Sequence, residues 1–221
     1  MTNKRTLNET ILRCLTLLCG LIVLSFGIAF SVRANLGTTP ISSVPYVISL
    51  FAPLTIGTAT MLLHVAFLLV QLAVKRRRFD LKQLLGLPAA IALGVFADAA
   101  MWLTRDIAPS SYGQQWLLCV IGILLAGIGA SLDVTADIVM LPSDGLVAAL
   151  IKAVHVKSRL LNLKVLFDSA LVVAAIALSL LFLLEIHGVR EGTAAAAILV
   201  GQITRQCNRL LSPYGKRLSK T

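Results

Sequence analysis

LGTTPISSVPY, residues 36–46, is a run of turn formers and hydroxyls inside a chain that is otherwise strongly apolar. A hundred residues later DIVMLPSDGLV, residues 137–147, makes a similar break: a small polar turn, a proline, then an apolar run. Around these breaks, hydrophobic residues make up 57% of 221 and charged residues only 14%. The mean hydropathy is +0.89. Soluble domains carry roughly a quarter charged residues, so this chain has more apolar surface than a water-facing fold can bury. The composition predicts an all-α membrane protein.

Long apolar runs occur at about 12–32, 55–74, 84–104, 115–132 and 160–184, with a shorter, small-residue-rich run at 192–204. Two more apolar stretches, about 44–54 and 145–156, are too short to cross ~30 Å of hydrocarbon. The expected fold is therefore six transmembrane helices plus two short re-entrant or half-helices. With that assignment sixteen Lys and Arg fall on one side, including the KRRR run at 75–78, and three fall on the other. The positive-inside rule then puts both termini in the cytoplasm. The first apolar run exceeds a usual signal-peptide core, so it reads as a retained span.

The breaks belong to an internal repeat. GIAFSVRANLGTTPISS (27–43) lies over GIGASLDVTADIVMLPSDG (127–145), pairing Gly27 with Gly127 and Pro40 with Pro142. LLHVAFLLV (62–70) lies over LNLKVLFDS (161–169), pairing His64 with Lys164 and Phe67 with Phe167, and a third match pairs Gly94 with Gly201. The resulting division is a tail at 1–11, a first repeat at 12–104, a loop at 105–114, a second repeat at 115–204 and a basic tail at 205–221. Three spans per half give the halves opposite topology, the inverted-repeat plan of many secondary transporters. Non-helical backbone at membrane depth survives where protein covers it or where it lines a watery cavity. Short helices starting there point free N–H groups inward, which favours anionic groups. Ser42 or Ser43, and Ser143 or Asp144, are expected as N-caps. Thr38, Thr39, Ser42, Ser43, Ser143 and Asp144 are the expected solute-binding residues, against the plainer reading of two surface loops.

Intramembrane charges cost roughly 2.5–3.5 kcal/mol each at a helix centre. Lys164 and Asp168 are four apart on one helix face and expected to pair; Asp98 is expected in the protein interior. With His64 these are the expected coupling or buried charges, although a lone His is more often a packing residue. Asp133 and Asp137 are also four apart, and Arg190 with Glu191 is expected as an interfacial pair. The glycines of GIGASL and LGVFADAA permit close helix approach. The four cysteines form neither a disulfide framework nor a metal-ligand spacing. No catalytic motif, cofactor motif or basic face for nucleic acid is present.

LGTTPISSVPYVISL, LTIGTATMLLHVAFLLVQL, the LPSDGLVAAL turn, VLFDSALV and GVREGTAAAAILVG resemble the YczE/YyaS/YitT family of bacterial integral membrane proteins over about residues 12–204. The polar turn, Phe167-Asp168 and Gly188/Arg190–Thr193 follow the family order. The resemblance implies a multi-pass protein of the bacterial cytoplasmic (inner) membrane, often described as a transporter. It brings no established substrate and no catalytic residue. The expected function is alternating-access transport of a small solute, anionic or zwitterionic by the helix ends. The alternative is a non-transporting accessory protein for a biosynthetic or secretory complex. The expected partners are the bilayer, the solute and, for a chain this small, a second copy in a homodimer.

Overall fold

The computed structural model describes residues 7–75, 81–153 and 160–218. Residues 76–78 of the KRRR run, the expected end of the second short helix and His155 lie outside them. The described residues form eight α-helices and no strand: α1 Leu7–Arg33, α2 Pro40–Phe51, α3 Ile56–Lys75, α4 Gly86–Leu103, α5 Tyr112–Ala136, α6 Pro142–Ala153, α7 Leu160–Leu183 and α8 Glu191–Leu218. A 3-10 turn, Leu81–Leu85, leads into α4.

Five stretches are long and apolar enough to cross a membrane: α1, α3, Gln83–Leu103, α5 and Leu163–Leu183. The expected sixth, 192–204, is not among them. Its residues open α8, which does not stop at 204 but runs on through basic residues to Leu218. Alanine, leucine and arginine are all good helix formers, so nothing in the sequence ends the helix where the apolar run ends.

Both short helices start earlier than expected, and for the same reason. α2 begins at Pro40 rather than about residue 44, and α6 at Pro142 rather than about 145. Proline has no N–H to lose at the first helical position, and its fixed φ is already helical. Ser42 and Ser43 therefore lie in the first turn of α2 instead of capping it. The residue before the helix is Thr39, in extended backbone and without a side-chain cap bond. Ser143 and Asp144 likewise fall inside the first turn of α6. At twelve residues each helix is about 18 Å long, well short of a span.

The most extensive packing is between α1 and α5, which run antiparallel along a ridge of glycines. A Cβ on Gly27 would stand 2.6 Å from the backbone N of Ala126, and one on Gly129 2.5 Å from that of Leu24. The register decides where the chain breaks. Ser31 faces Gly122, so α1 ends two residues past this crossing, whereas α5 starts ten residues before it, at Tyr112. At the other end α5 stops at Ala136, whose carbonyl accepts from Arg13 Nη1 at 3.0 Å, six residues into α1. Each break is thus recessed below the end of the neighbouring helix.

The remaining helices pack in an exchanged order. α4 lies on α1 and α8 on α5, while α2 lies on α7 and α6 on α3. Val44 and Val47 of α2, Phe67 of α3, Leu146 of α6, and Leu171 and Ala175 of α7 share one core cluster. The rings of Phe67 and Phe167 meet at 5.3 Å between centroids. One pairing has no counterpart. α3 packs on α4, Gly57 against Gly94, but α7 is not among the helices that pack appreciably on α8. Among the described residues no atom lies within 4 Å of a notional Cβ on Gly201 in the middle of α8, and α7 is the least covered of the long apolar helices.

Candidate functional site

At the first break the hydroxyls are mostly spent on the chain itself. Thr39 Oγ1 and Ser42 Oγ share a hydrogen at 2.6 Å, Ser42 Oγ also donates to the Thr39 carbonyl at 3.2 Å, and Ser43 Oγ donates to the Pro40 carbonyl at 2.7 Å. All three residues are buried. They satisfy backbone that a membrane would otherwise leave bare, and so they tie the turn. Thr38 differs. Its N–H donates to the Gly188 carbonyl at 3.0 Å, and its hydroxyl has only long contacts, 3.4 Å to the same carbonyl and 3.5 Å to that of Thr39.

The bond to Gly188 brings the 184–190 connection against this break. Gly188 has φ 76°, and a Cβ there would strike the Tyr46 ring, so the close approach needs glycine. The Gly192 N–H donates to the Leu36 carbonyl at 2.8 Å and completes the junction. Between the two segments lies a cavity of about 440 Å³. Its polar wall is Ser31, Thr38, Tyr46, His187 and Arg190; Val32, Ile186 and Val189 supply apolar surface. Arg190 Nη1 donates to the Asn35 carbonyl at 3.1 Å, and its Nε lies 3.5 Å from Glu191, the expected pair. Asn35 holds a positive φ of 54°, the left-handed conformation in which a helix such as α1 commonly ends.

The second break gathers charge instead. Lys164 pairs with Asp144 Oδ1 at 2.9 Å, not with Asp168 as their spacing suggested. The first turn of α6 reaches the lysine, and a tight ion pair there outcompetes a neighbour one helical turn away. Ser143 is buried beside them. Gln71 on α3 is buried, donates from Nε2 to the Pro142 carbonyl at 2.6 Å and packs over Gly145. His64 is buried, with Nδ1 2.8 Å from the Thr60 carbonyl and its ring edge-on to Phe67 at 6.0 Å. Asp133 is buried, and its Oδ1 has no hydrogen-bond partner among the described residues. Asp137 lies 3.6 Å from Arg13.

Asp98 stands apart from both groups. Its Oδ1 accepts from the Gly57 N–H and its Oδ2 from Thr55 Oγ1, each at 2.7 Å. It caps the start of α3 from the neighbouring helix, where free N–H groups attract a carboxylate. Arg105 turns away to Asp106 at 3.7 Å and stacks 5.0 Å over Trp102. The structure therefore brings Thr38 to a cavity, leaves Thr39, Ser42 and Ser43 in the turn, joins Ser143, Asp144 and Lys164 at the other break, and places Asp98 at the α3–α4 seam. Sequence reasoning missed the cavity. GVREGT was its only local sign, since the wall is assembled from three distant segments. Among the described residues no group of three His, Cys, Asp or Glu could hold a metal.

The recessed paired breaks and the 184–190 connection fall inside one matched region. The profile of a family of unknown function, DUF6198, matches residues 11–209. The chain belongs to this family. The DUF6198 chain is 27% identical over 128 residues to the "Uncharacterized protein YyaS" of Bacillus subtilis, covering 58% of the chain and 62% of that relative. It is 30% identical over 140 residues to an "Uncharacterized protein" of Haemophilus influenzae, covering 63% of the chain and 61% of that relative. The matched part thus spans less than two thirds of either relative's length. The YyaS name agrees with the resemblance seen in the sequence. No solved structure matches this DUF6198 chain.

Proposed function

We propose that this DUF6198 protein is a secondary transporter for a small solute, working by alternating access between two inverted three-span halves, α1–α4 and α5–α8. In this reading α8 supplies the sixth span, and both termini and the KRRR run lie on the cytoplasmic face of a bacterial inner membrane. The recessed breaks, the exchange of α2 and α6 between halves, and the contact of Phe67 with its repeat mate Phe167 all support two halves related by a pseudo-two-fold axis. The observation that carries the transport reading is the one unequal pairing. Gly94 is closed against α3, whereas its repeat mate Gly201 meets nothing within 4 Å among the described residues. Two copies of one unit in different packings are what a rocking mechanism needs: one seam closed and the other open, with the roles exchanged in the second state.

Locking the closed seam tests this. Thr55→Cys and Asp98→Cys occupy positions joined by a 2.7 Å hydrogen bond, close enough for a short bifunctional thiol reagent. The native cysteines are replaced, and Gly201→Cys is added as a reporter. The expected result is that the lock holds Gly201→Cys at its full alkylation rate, while the unlocked protein shows a slower, mixed rate as the α7–α8 seam closes part of the time. Identical rates with and without the lock would contradict coupling between the seams.

A further inference from the structure

The repeat register that pairs Gly27 with Gly127 also pairs Ser31 with Ser131, and the two serines are served differently. Ser131 Oγ donates to Asn208 Oδ1 at 2.7 Å. Ser31, equally buried, packs over Gly122 at the wall of the 440 Å³ cavity, and its Oγ has no hydrogen-bond partner among the described residues. A buried hydroxyl in an apolar setting without a partner is costly. In the second half an amide oxygen removes that cost; in the first half the register that pairs Gly94 with Gly201 puts Met101 where Asn208 stands, so no side-chain amide is offered there. Two residues on from Ser31, Arg33 has a buried Nε without a hydrogen-bond partner among the described residues, while its Nη2 donates to the Met101 carbonyl at 2.9 Å.

We propose that this cavity is a binding site for a small monocarboxylate with an apolar body, a conclusion that rests on the transporter reading for its role but not for its chemistry. One χ1 rotation turns Ser31 Oγ from Gly122 towards the cavity, where a carboxylate oxygen gives it the kind of acceptor that Asn208 Oδ1 gives Ser131. The Arg190 guanidinium, still carrying N–H donors beyond those given to Asn35 and Glu191, meets the carboxylate from the other side. The Tyr46 phenol adds a third donor. Val32, Ile186 and Val189 take the aliphatic part. A dianion fits poorly: Glu191 already shares Arg190, and Glu185 lies 3.4 Å from His187, so the site has little positive charge to spare.

The test is equilibrium dialysis of radiolabelled butyrate against the purified full chain in detergent. Saturable binding is expected, displaced by propionate and hexanoate but not by butanol, butylamine or succinate. Ser31→Ala is expected to weaken it about 10-fold and Arg190→Gln about 30-fold, in line with loss of a neutral and a charge-assisted hydrogen bond. As a second readout independent of binding strength in the variants, Ser31→Cys in a chain without native cysteines is expected to alkylate more slowly with butyrate present. Absence of saturable binding, binding indifferent to both substitutions, or alkylation unaffected by butyrate would each overturn the site. Flux assays on proteoliposomes separate the two claims. Butyrate binding without movement across the bilayer keeps the site and removes transport; movement of other solutes without carboxylate binding removes the site and keeps transport.

Discussion

Gly27→Val is expected to destabilise the protein by about 3 kcal/mol or more, the upper end of what overpacking costs. The reason is what the new side chain would meet. A Cβ at residue 27 would lie 2.6 Å from the Ala126 N, 2.9 Å from its Cα and 2.9 Å from the Gly122 carbonyl oxygen. These are backbone atoms of the facing helix, which cannot rotate aside as a side-chain tip can, so α1 and α5 must move apart. In a bilayer such close approach is itself the source of attraction, since lipid tails compete equally for apolar side chains. Gly113→Val is the control, because a Cβ at Gly113 meets nothing within 4 Å among the described residues; its effect is expected within about 1 kcal/mol. The monodisperse fraction on size-exclusion chromatography after a heating series checks both. Equal survival of the two variants would mean that α1 and α5 do not cross at this glycine.

Arg13→Met is expected to cost about 3 kcal/mol, as breaking a buried ionic network does. Arg13 is 4% exposed, a degree of burial a guanidinium tolerates only when its donors are used. Nε reaches Glu9 at 3.0 Å along its own helix, and Nη1 reaches the last carbonyl of α5 at 3.0 Å, with Asp137 at 3.6 Å beyond. Methionine fills the stem and leaves the Ala136 carbonyl without this donor, at the point where α5 ends and the second break begins. Glu9→Gln added to Arg13→Met removes the carboxylate the guanidinium had balanced, so part of the loss is expected to return. The same heating series on the single and double variants measures it. Equal losses in both would mean that charge balance at Glu9 is not part of the cost.

What could be read in advance follows from the range of each signal. Five apolar stretches were legible because hydrocarbon demands unbroken runs, and the breaks were legible because Pro40 and Pro142 cannot continue a ladder from before them. Helix starts slipped by three or four residues, since Ser42, Ser43 and Asp144 look like caps while proline actually opens the helix. The partner of Lys164 was misread because spacing reports only neighbours on the same helix; Asp144 lies twenty residues away and arrives through the docking of α6. Asp98 was expected in the interior; it lies half-buried at the α3–α4 seam instead, because its role as the cap of α3 depends on how α4 packs. The cavity was out of reach for the same reason: Ser31, Tyr46 and Arg190 meet only once the 184–190 connection has crossed to the first break.

The most direct test of alternating access is thiol labelling of single cysteines at positions 42, 43, 143 and 144 in a chain lacking the four native ones, with membrane-impermeant reagents applied from each side in turn. These positions belong to the two recessed breaks, so a protein that alternates must expose each of them to both sides over time. The account predicts labelling from either side at both breaks. Labelling of 42 and 43 from one side only, with 143 and 144 from the opposite side only, would keep the inverted halves and contradict transport by alternating access.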